Sequence, residues 1–374
     1  MNNQPQSLYI HIPFCEAICD YCDFPKLQYF RIFAEKYLQK LKEEIESYKI
    51  SHTLKTIYIG GGTPTCLEDD LFAELLKIVE PYAKNISEYT MEANPESLTI
   101  EKLKLMKQFG VNRLSIGVES TNDRILKAIN RHHTFQDVKT AIKNAKMIGF
   151  NNINVDLILG LPNATKEQLK KDLDNLLSLP ITHISCYSLS VHPHTNFYIK
   201  GIKEQNSDIE RQLYDYVYER LKEANFIHYE VSNWAKENYE SQHNFTYWKD
   251  EPYYGVGLGA AGYINGIRYT NTLSINEYLK GITVKEKEMI TINDDKEYFL
   301  MLNLRTNRGV ILKEYKEKFH EDFYKENKKI IQQYIADGLM TFNEKEERIY
   351  LTYPGMMILD TILLEFMNGN SFNR

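Results

Sequence analysis

Ser7-Leu-Tyr-Ile-His-Ile-Pro-Phe-Cys-Glu-Ala-Ile-Cys-Asp-Tyr-Cys-Asp-Phe24 decides how this chain is read. Its first residues alternate as a strand does, and Pro13 ends the alternation. Cys15, Cys19 and Cys22 follow as C-x3-C-x2-C, three of the five cysteines in the chain. Thiolates so spaced can ligate three irons of a [4Fe–4S] cube and leave the fourth iron open to a second cofactor. Two other readings stand beside it. Structural zinc wants four ligands, usually as two spaced pairs, and no second C-x2-C lies downstream. A thioredoxin-like redox pair needs only two cysteines and leaves Cys15 without a role.

Outward from this stretch, strands and amphipathic helices alternate. Ala34, Tyr37, Leu38, Leu41, Ile45 and Tyr48 recur at helical intervals over residues 31–49. A strand over 55–59 then runs into Gly60-Gly-Gly-Thr-Pro-Thr65, with a helix over 71–82. Strands are predicted at 89–93, 113–119, 152–160 and 183–190, and helices at 99–108, 123–130, 135–148, 166–177 and 208–224. Gly110 and Gly149 stand where helices should stop. About six β/α units imply parallel strands joined by helical crossovers, and the expected fold is α/β, a partial, open (β/α)6 barrel. In such folds reactive groups gather at the carboxyl ends of the strands. The cysteines, Gly60–Thr65, Glu92, Glu119 and Asp156 all fall there.

Past about residue 226 the rhythm changes. We expect a core over 1–230, an aromatic and glycine-rich connection over 231–290, and a C-terminal helical, winged-helix-like domain over 291–374. Winged helices often bind DNA, but this one is acidic or mixed in charge, which favours a lid. With Lys+Arg 45 against Asp+Glu 51 the chain has no basic field for nucleic acid. No run of eighteen apolar residues and no leader-like segment is present, and clustered, odd-numbered cysteines suit a reducing compartment. A cytoplasmic protein is therefore expected, with peripheral attachment to a membrane left open.

Four further features bear on chemistry. The three glycines at 60–62 let backbone amides approach a ligand closely, although a tight turn would use them equally well. Glu92, Glu119, Arg131 and Asp156 supply separated charges around one rim, as a zwitterionic cofactor with a ribose requires. Gly255-Val-Gly-Leu-Gly-Ala-Ala-Gly262 imitates a dinucleotide fingerprint but has no clear strand before it, so a close-packed turn is the better reading. In His243-Asn-Phe-Thr-Tyr-Trp248 an imidazole beside aromatic rings could meet haem iron, or could be a hydrogen-bonded structural residue.

The cysteine loop, Gly60–Thr65, Arg113-Leu-Ser-Ile-Gly-Val118, Asp156-Leu-Ile-Leu-Gly-Leu-Pro162 and His243–Trp248 together resemble the HemN-related family of radical S-adenosylmethionine (SAM) proteins, over nearly the whole chain. The resemblance implies that Cys15, Cys19 and Cys22 hold a [4Fe–4S] cluster whose open iron chelates SAM. It implies SAM contacts at Tyr9, Gly61, Gly62, Thr63, Glu92, Glu119, Arg131 and Asp156. Glu119 stands where a glutamine is common, and a carboxylate cannot donate as an amide can. His192 and Ala261 replace a frequent glutamate and histidine. Oxygen-independent coproporphyrinogen III oxidases of this family carry a fourth cysteine two places after the third, where this chain has Phe24, and they lack H-N-x-x-Y-W.

The likeness therefore points to the family's haem-chaperone branch rather than to an enzyme of porphyrin oxidation. It implies haem contact at His243, Tyr247 and Trp248, haem-accepting membrane or respiratory proteins and an electron donor as partners, and a homodimer as one assembly.

Overall fold

The computed structural model describes residues 4–51 and 53–369. Six strands, β1 (Ser7–Ile12), β2 (Thr56–Gly61), β3 (Glu88–Ala93), β4 (Arg113–Glu119), β5 (Asn152–Leu159) and β6 (His183–Ser188), lie side by side in chain order, each parallel to the next. A strand turns successive side chains to opposite faces, and here both faces are used. Leu114, Ile116 and Val118, like Ile153, Val155 and Leu157, are fully buried in the core shared with the helices. The intervening residues, Ser115 and Gly117 on β4 and Asn154 and Asp156 on β5, line an interior cavity.

The helices wrap the outside, at Arg31–Ser47, Asp69–Val79, Ile100–Gln108, Phe135–Ile148, Lys166–Leu177 and Ser207–Glu223. Their limits follow local chemistry. Thr134 and Asp137 close a capping box ahead of Phe135, and Gly149 ends that helix with φ +97°, a conformation that costs glycine little.

The glycine-rich region departs from expectation. It is not merely a connection, because Tyr254–Val256 pairs in parallel with the outer edge of β1. At the other edge, Asn233–Ala235 and Ile227–Glu230 add two antiparallel strands beyond β6, giving a nine-stranded sheet. The two edges are not hydrogen-bonded to each other, so the barrel is open. Three residues, one of them glycine, are too short a strand to show by periodicity. Gly255 is needed there, since a Cβ would drive into the carbonyl of Ala261. Buried Glu44 fixes the following turn by accepting from the Gly257 amide (2.9 Å), the Asn271 amide (2.7 Å) and the Tyr278 hydroxyl (2.6 Å).

Helix Gln242–Trp248 stops the amino-terminal end of the barrel. The Glu88 carboxylate accepts from the Gln242 and His243 amides at 2.8 and 3.0 Å, and Thr246 bonds Ser7 at 2.7 Å. A second core around Phe299, Tyr315, Phe323, Ile331 and Phe366 belongs to the C-terminal part. There Arg348–Leu351 is the central strand between Val310–Ile311 and Met340–Asn343, in the winged-helix manner. Two short helices, Phe323–Glu326 and Lys328–Ala336, meet there at Asn327. Asp250 ties this part to the barrel, accepting from Arg268 (2.5 Å) and Lys318 (2.8 Å). No helix among the described residues is long and apolar enough to cross a membrane.

Gly255→Ala should lower stability by about 1–3 kcal/mol through overpacking against Ala261, read as an earlier denaturant midpoint of the barrel.

Candidate functional site

A cavity of about 380 Å³ opens at the carboxyl ends of β1–β6. Cys15, Cys19 and Cys22 form part of its wall, on a loop that is held firmly at its base. Phe14–Cys15 pairs in parallel with Leu27–Gln28, so the chain leaves and re-enters the sheet region at one place. Across the loop, Asn130 donates to Ile18 O (2.8 Å) and Asn196 to Asp20 (2.9 Å), which joins the loop to segments following β4 and β6.

The cysteines face polar partners. The Thr63 hydroxyl lies 3.7 Å from Cys15 Sγ, and Arg131 Nη1 lies 3.7 Å from Cys19 Sγ. Burial raises the Cys15 thiol to about 11 and the Cys22 thiol to about 12, so iron must displace a proton from each on binding. Among the described residues no three His, Cys, Asp or Glu side chains converge on one point as a single zinc ion would need.

Glu92, Glu119, Asp156, Arg113 and Arg131 line the same cavity. Glu119 has φ +64°, sits at a register shift between β4 and β5, and is spanned by a Ser120 N–H to Val118 O bond of 2.7 Å. Strain of this kind at a bulge re-aims a side chain, here toward Arg131, whose Nη2 is 3.1 Å from Glu119 Oε1. Gly117 lacks a Cβ because Arg131 fills that space and donates to the Gly117 carbonyl. Burial pushes the Glu119 and Asp156 carboxyls up, against the pull of Arg131 on the first and of Ser185 and Asn154 on the second. Glu92 has no guanidinium in contact and is raised to about 7 by burial, although Tyr58 (2.6 Å) and the Gly61 amide (2.9 Å) donate to it. Three carboxylates against two guanidiniums leave one acid uncompensated. A ligand ammonium or sulfonium would match it.

Of the two uses open to the glycines, the tight turn is the one the hydrogen bonds support. The amides of Gly61, Gly62 and Thr63 are spent on Glu92, Ile12 O and Phe14 O at 2.9, 2.8 and 2.8 Å. A Cβ on Gly60 would meet the Glu92 carboxyl at 2.5 Å. The glycines make room for protein groups, and what Glu92 offers the cavity is an acceptor for an amine rather than a cradle of donors for an anion.

Gly61, Gly62, Thr63, Glu92, Glu119, Arg131, Asp156 and the three cysteines all line this one cavity. Tyr9 does not. Its hydroxyl bonds His11 Nδ1 at 2.9 Å, and its ring lies behind Tyr58, 6.0 Å between centroids. Tyr58, Arg113, Asn154 and Ser185 were not singled out from sequence, though the period-two phase of their strands marks them as inward-facing.

His243, Tyr247 and Trp248 also fall outside the lining of this cavity. The His243 ring is wholly buried, with Nδ1 2.8 Å from Thr56 Oγ1 and Nε2 2.8 Å from the Tyr247 hydroxyl. Neither nitrogen is free for iron. Trp248 lies under the Arg305 guanidinium at 5.5 Å. Of this motif only Asn244 reaches the cavity.

Residues 9–176 match the radical SAM superfamily model, and residues 291–358 match the HemN C-terminal domain. The open parallel barrel with a cysteine loop over its carboxyl end is thus a radical SAM fold, and the superfamily's cofactors are a [4Fe–4S] cluster and SAM. At 22% identity and a TM-score of 0.84, coproporphyrinogen III oxidase (HemN) from Escherichia coli shares that fold over 98% of this chain and 91% of its own. Heme chaperone HemW of Bacillus subtilis is 38% identical over 97% of this chain and 99% of the relative, and that of Lactococcus lactis 36% over 98% of each. The chain belongs to the HemW family.

The acidity of the wall has a pH signature. A carboxyl raised from 4.5 to about 7 stabilises the fold below its unfolded value, and that stability is lost as pH rises through 7. The cofactor-free protein should therefore lose up to about 3 kcal/mol between pH 4.5 and 7. Glu92→Gln should flatten that part of the thermal-midpoint curve, and a profile identical to wild type would remove Glu92 as its source.

Proposed function

We propose that this chain takes up haem and delivers it to haem-dependent membrane or respiratory proteins, with Cys15, Cys19 and Cys22 holding the cluster. Gly61, Gly62, Thr63, Glu92, Glu119, Arg131 and Asp156 would hold SAM, Glu92 facing its ammonium and Arg131 its carboxylate. When bound, the cluster would supply an open iron site for SAM and an electron for its reduction. The chain's own part is to orient that pair, to keep opposite charges apart on one wall, and to exclude water with Tyr58 and Tyr187.

The observation that carries the delivery reading is Phe24. It lines the cavity with 62% of its surface exposed, at the place where the oxidases carry a fourth cysteine. The relatives matched over nearly their full length are heme chaperones, which supports the same reading. A cytoplasmic setting with peripheral attachment to a membrane, a homodimer and an electron donor complete the proposal. We divide the chain at 230 and 290.

The test is anaerobic and has two parts. With SAM, reductant and coproporphyrinogen the reconstituted protein should form no protoporphyrinogen above the cofactor-only background. Haem-loaded protein mixed with a haem-free respiratory enzyme should restore that enzyme's activity. Robust oxidation with no restoration would move the chain to the oxidases.

A further inference from the structure

We propose that Arg113, at the floor of the cavity, binds the carboxylate of a small organic acid as a second ligand beneath SAM, with Asn244 and Ser115 as further donors. The assignment does not depend on the haem-uptake reading, and it gives the H-N-x-x-Y-W stretch a part in the site.

Arg113 is the first residue of β4, at the amino-terminal end of the barrel, and shares the inward phase of Ser115 and Gly117. It is 2% exposed and belongs to the cavity lining. A guanidinium carries five N–H donors and a permanent charge, and burying it without partners is costly. Its Nε has no hydrogen-bond partner, and among the described residues no carboxylate forms an ion pair with the group. Arg131, the other guanidinium of the wall, is engaged by Glu119, Asn94 and the Gly117 carbonyl. Four residues of strand, about 13 Å, separate that carbonyl from Arg113.

The acids that act on Arg113 are occupied elsewhere. Burial works against its charge, and Glu88 and Asp156 keep it protonated without touching it. Glu88 accepts from the Gln242 and His243 amides (2.8 and 3.0 Å) and from the Ser241 and Thr90 hydroxyls (3.2 Å each), which fills its oxygens. Asp156 accepts from Asn154 at 2.8 Å and from Ser185.

The neutral donors lie at the same level. Burial and then Arg113 lower the His243 imidazole to about 3, which keeps that ring uncharged beside the guanidinium. Asn244, the next residue, lines the cavity, and its side-chain amide engages no other described residue. Ser115 Oγ accepts from Asn154 at 2.8 Å and keeps its own O–H to donate. A guanidinium, an amide and a hydroxyl can all donate to one anion, and the planar fork of arginine matches the two oxygens of a carboxylate. An acid of a few atoms suffices to satisfy them.

The experiment titrates full-length, cluster-loaded, SAM-saturated protein with acetate and, separately, with neutral acetamide, by anaerobic calorimetry at constant ionic strength. Acetate should bind saturably, with Kd of about 1 mM or tighter, and acetamide should not. Arg113→Gln should weaken acetate at least about tenfold, and Asn244→Ala about threefold. Iron and sulfide contents and the unfolding midpoint establish that each variant is folded. If Arg113→Gln does not fold, Asn244→Ala decides, and wild-type acetate affinity there overturns the site. Wild-type protein that shows no saturable acetate binding, or a folded Arg113→Gln variant that binds acetate as wild type does, overturns it as well. A matching loss of SAM affinity in Arg113→Gln would give the guanidinium to SAM and overturn the second ligand. None of these outcomes bears on haem uptake.

Discussion

The alternation of side chains along six parallel strands is the constraint on which the rest of this molecule depends. Every second residue of β4 and β5 is apolar and packs outward on helices, and the residues between them, polar except for Gly117 and Ile158, face inward. A shift of one residue in any strand would bury charge among the helices and turn leucines into the cavity. Register and site are therefore the same property. Glu119 is the instructive exception, because its bulge breaks the alternation at the strand end and brings its carboxylate to Arg131.

Charge follows from that geometry. Glu92, Glu119 and Asp156 are held close together with two guanidiniums interleaved, and burial disfavours their ionised forms. The wall is pre-set for a ligand bearing positive charge. The amides of the glycine turn are consumed by the protein, so selectivity for an amine arises from what the turn withholds as much as from what it presents.

Much of this was legible in the sequence because the signals are local. The six strands, their helices and the rim carboxylates follow from periodicity and from the rule that loops after strands carry chemistry. Three things were not legible. Tyr254–Val256 joins the sheet beside a strand some 245 residues earlier, and three residues carry no period. Tyr9 is on an inward-facing strand position but is screened by Tyr58, which only packing decides. His243 is open in sequence to haem contact or to a hydrogen-bonded structural role, and its partners, Thr56 and Tyr247, are set only by how a helix of seven residues tucks beneath the strands.

That pairing of β1 with Tyr254–Val256 also orders events in time. The cysteine loop is made more than two hundred residues before the strand that flanks its base and the helix that closes the barrel beneath it. Contacts of such long range form slowly. Until that pairing forms, the loop lacks a strand that flanks its base, and its three thiols are held less firmly than in the finished barrel.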